Sequence, residues 1–261
     1  MNRPLGSTTP VRILVLSDIH ANLEALEACL AAASAYDRVF NLGDIVGYGA
    51  NPNEVADRAR QLGNTLVRGN HDKACSGLIS LEGFNPIAGL AVLWTQQQLM
   101  AENLEFLRGL PIGPISPLDG LKCVHGSARD EDEYILVARE AYGLLAEADA
   151  RITFFGHTHI QCGFCMEQET NLGQVFVPNY ASPQGKQQFQ IHLKPRAKYL
   201  INPGSVGQPR DNDPRAAFML YDQSEASITF CRIPYDIPAA QKKIRAAGLP
   251  DRLADRLAEG R

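Results

Sequence analysis

No stretch of the sequence approaches the roughly 18 consecutive apolar residues that a membrane-spanning helix requires. The first ten residues, Met1 to Pro10, are polar, carry one arginine and lack the apolar core of a signal peptide, so a cytoplasmic location is the expectation. Like charges never form a block of five or six, and the net charge over 261 residues is only −4. Neither a nucleic-acid polymer nor a membrane is therefore an expected partner, and any phosphate-bearing substrate has to be drawn by local charge. The six cysteines do not form a disulfide framework: they are scattered through a chain too long to need staples and read as reduced thiols. Cys162 and Cys165 have metal-ligand spacing but no second pair to complete a zinc site, and they fall in a predicted strand. There is no Gly-x-Ser-x-Gly and no Gly-x4-Gly-Lys, which removes the serine-hydrolase elbow and the phosphate loop. Internal repeats, low-complexity tracts and clear linkers are also missing, so the expectation is a flexible N-terminus over 1–10 followed by a single domain over 11–261.

What the chain does contain is an alternation of apolar β-rich runs with helical patterns, and 45% hydrophobic residues to bury. Val11 to Ser17 predicts a buried strand, after which Asn22 can cap a helix with Leu23, Leu26 and Leu30 on one face. Arg38 to Leu42 is the next strand, followed by a helix opened by Asn51-Pro52 and closed by Gly63, and Asn64 to Arg68 is a third strand. Three such units in a row imply a parallel sheet with helices on its face. One long helical region is expected from Asn85 to about Arg108, then a strand over Leu121 to Val124, a helix over Tyr134 to Ala148 and a strand over Ile152 to Phe155. The last third is mostly β, with strands expected at 174–177, 188–193, 199–202, 216–221 and 227–233 and a closing helix through Leu249, Leu253 and Leu257. The segment Pro178 to Lys186 reads as a mobile loop or a hairpin insertion.

Five of the six histidines sit in four short motifs at the ends of these apolar runs: Asp18-Ile-His20, Gly69-Asn-His-Asp72, His125-Gly126 and Gly156-His-Thr-His159. A fifth motif, Gly43-Asp44, has the same placement, whereas His192 lies outside all of them and receives no role. A lone histidine or a Gly-Asp pair is ordinary surface chemistry. Nitrogen and oxygen donors at five successive strand ends are not, because an open α/β sheet presents its site there and first-row divalent metals prefer such donors.

Residues two apart on a strand share a face, which predicts that Asp18 with His20, and His157 with His159, aim at one point. Asp44 can bridge two cations, Asn70 offers a carbonyl oxygen and His125 another imidazole. Seven donors are too many for one ion. Sharing Asp44 assigns Asp18, His20 and His159 to one cation and Asn70, His125 and His157 to the other. Two cations roughly 3.5–4 Å apart can hold a bridging hydroxide and clamp the oxygens of an in-line displacement at phosphorus, so phosphate-ester hydrolysis is the natural reaction. The donors suit Mn, Fe, Zn or Ni and argue against copper. His71 has no metal in this scheme. As an imidazolium it could stabilise phosphoryl charge or protonate the leaving oxygen, with Asp72 hydrogen-bonded to it and keeping it charged.

Asp-x-His, Gly-Asp, Gly-Asn-His-Asp, a strand-end His and Gly-His-x-His, in that order from Asp18 to Arg210, resemble the calcineurin-like metallophosphoesterase superfamily. More narrowly, Ser17-Asp-Ile-His-Ala-Asn22, the run Gly43 to Pro52 and Asn202-Pro-Gly-Ser-Val-Gly-Gln-Pro-Arg210 are similar to its small bacterial phosphodiesterase branch. The resemblance implies a four-layer αββα sandwich, an α/β fold of two mixed sheets flanked by helices. It also implies the same ligands, His71 near the leaving group, Mn2+ as the activating ion and Arg210 at a substrate phosphate.

Where the Ser/Thr phosphatase relatives carry Gly-Asp-x-Val-Asp-Arg-Gly and Gly-Asn-His-Glu, this chain has Ile45-Val46-Gly47-Tyr48 and Asp72, so a protein phosphatase loses weight. The acidic stretch Asp130 to Glu133 after His125 is expected to deter highly anionic substrates. The leading expectation is a phosphodiesterase for cyclic nucleotides or similar small diesters. A phosphomonoesterase or nucleotide pyrophosphohydrolase is the alternative. A non-catalytic scaffold of the same fold ranks third, because none of the ligands is missing. Self-association into a homo-oligomer is compatible with the sequence.

Overall fold

The computed structural model describes residues 11–63 and 65–261. The flexible N-terminus expected over 1–10 and the first residue of the expected third strand, Asn64, lie outside the described residues. The first half of the chain runs β1 (Arg12–Leu16), α1 (Leu23–Ala32), β2 (Arg38–Asn41), α2 (Pro52–Leu62), β3 (Thr65–Leu66), α3 (Asn70–Cys75), α4 (Pro86–Gln98) and α5 (Ala101–Arg108). There follow β4 (Ile115–Leu118), β5 (Leu121–Cys123), α6 (Ala138–Glu147), β6 (Ile152–Phe154), β7 (Gln161–Glu167) and β8 (Gly173–Phe176). The chain closes with β9 (Gln187–His192), β10 (Ala197–Pro203), β11 (Ala216–Asp222), β12 (Ser227–Ile233), α7 (Ile237–Ala246) and α8 (Asp251–Glu259).

The strands form two mixed six-stranded sheets, ordered β3-β2-β1-β11-β12-β9 and β4-β5-β6-β10-β7-β8. β1, β2 and β3 are mutually parallel, as the strand-helix repetition predicts, and so are β5, β6 and β10. The two faces of β1 show how the layers are held. Ile13 and Val15 pack between the sheets with Phe40, Cys123, Ile152, Phe154, Ile201, Met219 and Phe230. Leu14 and Leu16 face the other way, into a layer with Leu26 of α1 and Val55 of α2. Beneath the second sheet, Leu144 and Leu145 of α6 pack on Phe164 and Leu200. Helices therefore flank both sheets, the α/β sandwich anticipated. Among the described residues no helix is long and apolar enough to cross a membrane.

Several elements differ from the sequence expectation, each for a local reason. The helical region 85–108 is two helices, because the Asn53 side chain of α2 stitches the break: it donates to Gln98 O (2.8 Å) and accepts from Met100 N (2.9 Å). α6 starts at Ala138 rather than Tyr134, since the Glu140 carboxylate turns back to accept from Leu136 N and Val137 N and caps the helix there. β4, α3 and α7 were not anticipated. The segment Pro178 to Lys186 is not a hairpin insertion but the crossover from β8 at the edge of one sheet to β9 at the edge of the other. It is pinned along its length: Tyr180 donates to Gln161 Oε1 (2.6 Å), Arg215 to Gly185 O (3.0 Å) and Lys186 to Ala32 O (2.8 Å). All six cysteines are free and buried, in keeping with the expectation of reduced thiols.

Candidate metal centre

The five motifs converge beyond the C-terminal ends of the parallel strands, where Asp18 and His20 follow β1, Asp44 follows β2, Asn70 follows β3, His125 follows β5, and His157 and His159 follow β6. Backbone bonds continue the pairing past the strands: Asp18 N donates to Gly43 O, His20 N to Asp44 O, and Gly207 N to Asp18 O. The convergence is not produced by strand alternation, as expected from the sequence, because β1 ends at Leu16 and β6 at Phe154. It comes from left-handed backbone at Asp18 (φ 53°), His20 (50°), Asp44 (54°), His157 (66°) and His159 (61°). Such conformations cost of order 1–3 kcal/mol each and persist at sites where the surroundings over-determine them. Room is equally constrained: a Cβ on Gly69 would lie 2.1 Å from Asp44 Oδ1 and 2.3 Å from Asp44 N.

The structure brings all seven expected donors together and buries the two aspartates and four histidines among them. Asp18, His20, Asp44 and His159 form one group that could hold a metal ion, and Asp44, His125 and His157 form a second. Asn70 joins the second, with its Oδ1 3.2 Å from His125 Nε2. The two groups meet at Asp44 Oδ2, which lies 3.6 Å from His20 Nε2 and 3.5 Å from His125 Nε2. That oxygen has no hydrogen-bond partner although it is buried, and the same holds for His157 Nε2.

The donor set fits divalent cations on three counts. His20 Nδ1 faces Val46 O (3.2 Å), His125 Nδ1 faces Leu42 O (2.8 Å) and His159 Nδ1 faces Gln208 O (2.6 Å). A carbonyl can only accept, so each Nδ1 carries a proton and each Nε2 is the nitrogen turned inward, the outer-sphere arrangement usual for metal-binding histidines. The inward nitrogens crowd together, with His20 Nε2 3.1 Å from His159 Nε2 and His125 Nε2 3.1 Å from His157 Nδ1. The unpartnered carboxylate oxygen completes a cluster of acceptors that a cation would satisfy.

Charge within the protein groups follows the same geometry. Burial pushes His20 and His159 well below the ordinary histidine range and His157 down to about 3. Burial also opposes a charged His125, but the Asp44 carboxylate beside it outweighs this and lifts it to about 10. Asp44 is correspondingly held well below the usual carboxylate range, His125 overcoming the cost of burial. Asp18 is raised to about 7 by burial, with the negative charge of Asp44 adding to the shift. Arg210 supplies positive charge to the cluster, acting on Asp18, His20, His71, His157 and His159. Its guanidinium lies over the Tyr48 ring at 5.9 Å, and its backbone N–H donates to His159 O (3.2 Å).

The expected partnership of Asp72 with His71 is not formed. Asp72 is the third residue of α3, and its carboxylate turns back on the loops: Oδ1 accepts from Ile45 N (2.9 Å) and Val46 N (3.2 Å), Oδ2 from Gly69 N (3.0 Å). Asp72 therefore braces the segments that carry Asp44 and Asn70 instead of orienting an imidazole. His71 sits against the cluster, its ring 5.0 Å from that of His20 and its Nδ1 without a hydrogen-bond partner. Burial brings its pKa down to about 4. In the acidic stretch after His125, two of the four carboxylates meet cations. Glu131 pairs with Arg68 (3.0 Å) and Lys73 (2.9 Å), and Asp132 also accepts from Lys73. Phe84 and Tyr134 went unforeseen: the Phe84 ring meets that of His71 edge-on at 5.7 Å, and the Tyr134 ring stacks on that of His157 at 3.8 Å. Both arrive on irregular segments where no periodicity could announce them.

The two-sheet sandwich and the histidine-aspartate cluster at its strand ends define the class, an α/β protein with residues arranged to bind divalent metal. A model of the calcineurin-like phosphoesterase superfamily domain matches residues 11–226. An uncharacterized protein of Methanocaldococcus jannaschii is 39% identical, over 95% of this chain and 98% of its own. The crystal structure of a metallophosphoesterase from Sphaerobacter thermophilus is 41% identical, with a TM-score of 0.84 over 97% of this chain and 100% of that one. A hypothetical protein from Pyrococcus horikoshii shares the fold at 19% identity, with a TM-score of 0.73 over 96% of this chain and 98% of that one. The chain belongs to the calcineurin-like phosphoesterase superfamily. Membership implies a metal-dependent hydrolase of phosphoric esters.

Proposed function

We propose that the protein is a dinuclear metal-dependent phosphodiesterase that cleaves small diesters, of which cyclic nucleotides are one kind. The observation that carries this reading is the position of Asp44 Oδ2, buried, unpartnered and within 3.6 Å of histidine nitrogens from both donor groups. Asp18, His20 and His159 would hold one ion and Asn70, His125 and His157 the other, with Asp44 shared between them. When bound, such ions would lower the pKa of a water towards neutrality and offset charge on the phosphoryl oxygens, and Mn2+, Fe, Ni or Zn suits the donors.

The chain's own groups supply the rest. Arg210 would bind a phosphoryl oxygen from the rim of the cluster. His71 would give a proton to the departing oxygen, the negative charge of a bound ester raising its pKa from the low value set by burial. Lys73 and Arg68 are engaged by Glu131 and Asp132, and this restrained positive charge favours a monoanionic diester over a polyphosphate. The three backbone carbonyls facing Nδ1 of His20, His125 and His159 keep the donor set rigid.

The test is release of nitrophenol from bis(4-nitrophenyl) phosphate by metal-stripped protein reconstituted separately with manganese, iron, nickel and zinc. Turnover with at least one ion, abolished in Asp44→Asn and His157→Ala, is expected. No turnover with any of the four would refute the reading. A kinetic comparison of diester, monoester and dinucleoside polyphosphate ranks it against a phosphomonoesterase or pyrophosphohydrolase.

A further inference from the structure

The donor cluster opens onto a cleft of about 560 Å³ whose walls include Asn70 and His157 from the cluster, together with Ile79, Phe84 and Tyr134. That volume is within the range of small-ligand sites, and its lining is unusual for one meant to receive only a phosphate. Tyr134 is 45% exposed while its ring lies 3.8 Å from the His157 ring, tilted by 33°. A large aromatic side chain left half in water and laid against a candidate metal ligand has one face used and surface to spare. Ile79 is 38% exposed, and Phe84 is half-buried with its ring near-perpendicular to that of His71. The apolar groups are thus continuous with the two ends of the chemistry, the His157 side through Tyr134 and the His71 side through Phe84.

We infer that Ile79, Phe84 and Tyr134 form a subsite for a planar aromatic ring carried on the ester, a nucleobase or an aryl group, lying next to the phosphorus centre. The inference rests on the proposed phosphoesterase reading and deepens it by assigning the ester's non-phosphate part. Three features favour a flat ring. Aromatic side chains bind rings by stacking and edge contacts, and stacking tolerates any base because every base has a π-face. Glu82 and Asp132 also line the cleft; both carboxylates can accept hydrogen bonds from hydroxyl or amino groups, and the Glu82 charge repels further phosphates. Asp132 is fixed by Lys73, which holds the segment bearing Tyr134 against α3. The polar rim therefore suits a neutral ring with hydrogen-bond donors rather than an extended anion.

Binding of ester products by calorimetry tests the subsite without depending on turnover. The probes are adenosine 5′-monophosphate, phenyl phosphate and methyl phosphate, each titrated into manganese-loaded protein. The ring-bearing esters are expected to bind about tenfold tighter than methyl phosphate. Tyr134→Leu and Phe84→Leu, which keep apolar bulk without a ring, are expected to erase that advantage while leaving the methyl phosphate affinity in place, and Tyr134→Phe to retain it. Adenosine monophosphate outranking phenyl phosphate identifies a nucleoside ester, and the reverse order identifies a simple aryl ester. Equal affinity for all three probes, or an advantage that survives both leucine variants, overturns the subsite. A ring preference without hydrolysis of any ester would leave the subsite standing and remove the phosphodiesterase reading.

Discussion

Replacing Asp72 by alanine removes the acceptor of three buried backbone amides at once, those of Ile45, Val46 and Gly69, at 2.9, 3.2 and 3.0 Å. Asp72 is fully buried, so water cannot take its place without opening the structure. An orphaned buried donor costs about 1–3 kcal/mol, and neighbouring losses in one network add incompletely, which puts the total at about 3–5 kcal/mol. At about 2–4 °C per kcal/mol for a chain of this size, the melting temperature falls by roughly 6–20 °C. Asparagine in place of Asp72 keeps an acceptor for Ile45 and Val46 but turns an NH2 group toward Gly69 N, so about half of that loss is expected. Calorimetric unfolding at neutral pH reads the stability, and nuclear magnetic resonance titration of His71 reads the alternative. If Asp72 instead served to hold His71 charged, the substitution would move the His71 titration and leave the melting temperature within about 2 °C of the parent. That result would refute the bracing role.

Four other outcomes are expected. Gly69→Ala drives a Cβ into Asp44 Oδ1 and Asp44 N, with backbone on the far side unable to yield, and should cost about 2–3 kcal/mol in urea unfolding together with much of the metal affinity. Lys73→Met leaves Glu131 and Asp132 without their buried ammonium partner, and because both acids are partly exposed the loss should be about 1–2 kcal/mol, with faster hydrogen exchange over residues 126–137 as the sharper readout. Burial disfavours the ionised form of Asp213, yet the hydrogen bonds and charge of Arg215 prevail and its pKa is lowered. A lowered carboxylate adds stability above its unfolded value of 3.8 and loses it as pH falls further, so the gap between parent and Asp213→Asn, under about 1 kcal/mol at pH 7, should narrow in urea titrations as pH falls below about 4. Asp44→Asn cuts the carboxylates of the donor set to Asp18 alone and removes a charge common to both groups, so elemental analysis should find less than two metal equivalents, and two retained at parental affinity would contradict its shared position.

The strand ends were legible because chemistry and position coincide there. An apolar run that stops at Asp-x-His or Gly-His-x-His announces both a buried strand and a polar cluster that has to be satisfied, so the seven donors could be named from the sequence, and sharing Asp44 divided them into two groups. How they aim was not legible: left-handed backbone at Asp18, His20 and His157 depends on bonds such as His20 N to Asp44 O, between segments far apart in sequence. Asp72 was misjudged for a related reason. Adjacency to His71 suggested a side-chain pair, whereas at the third position of a helix that had not been anticipated a carboxylate is better placed to cap. The split of the 85–108 region depended on Asn53, an α2 side chain whose reach no helical periodicity encodes. Tyr134 and Phe84 belong to the same class, contributing to the site through tertiary packing and carrying no local signal.

The proposed chemistry requires that two cations share Asp44. Anomalous diffraction at the manganese edge from crystals grown with Mn2+ tests it directly. The expected result is a pair of peaks roughly 3.5–4 Å apart on either side of Asp44 Oδ2, one among Asp18, His20 and His159, the other among Asn70, His125 and His157. A single peak, or none beside that oxygen, would contradict it.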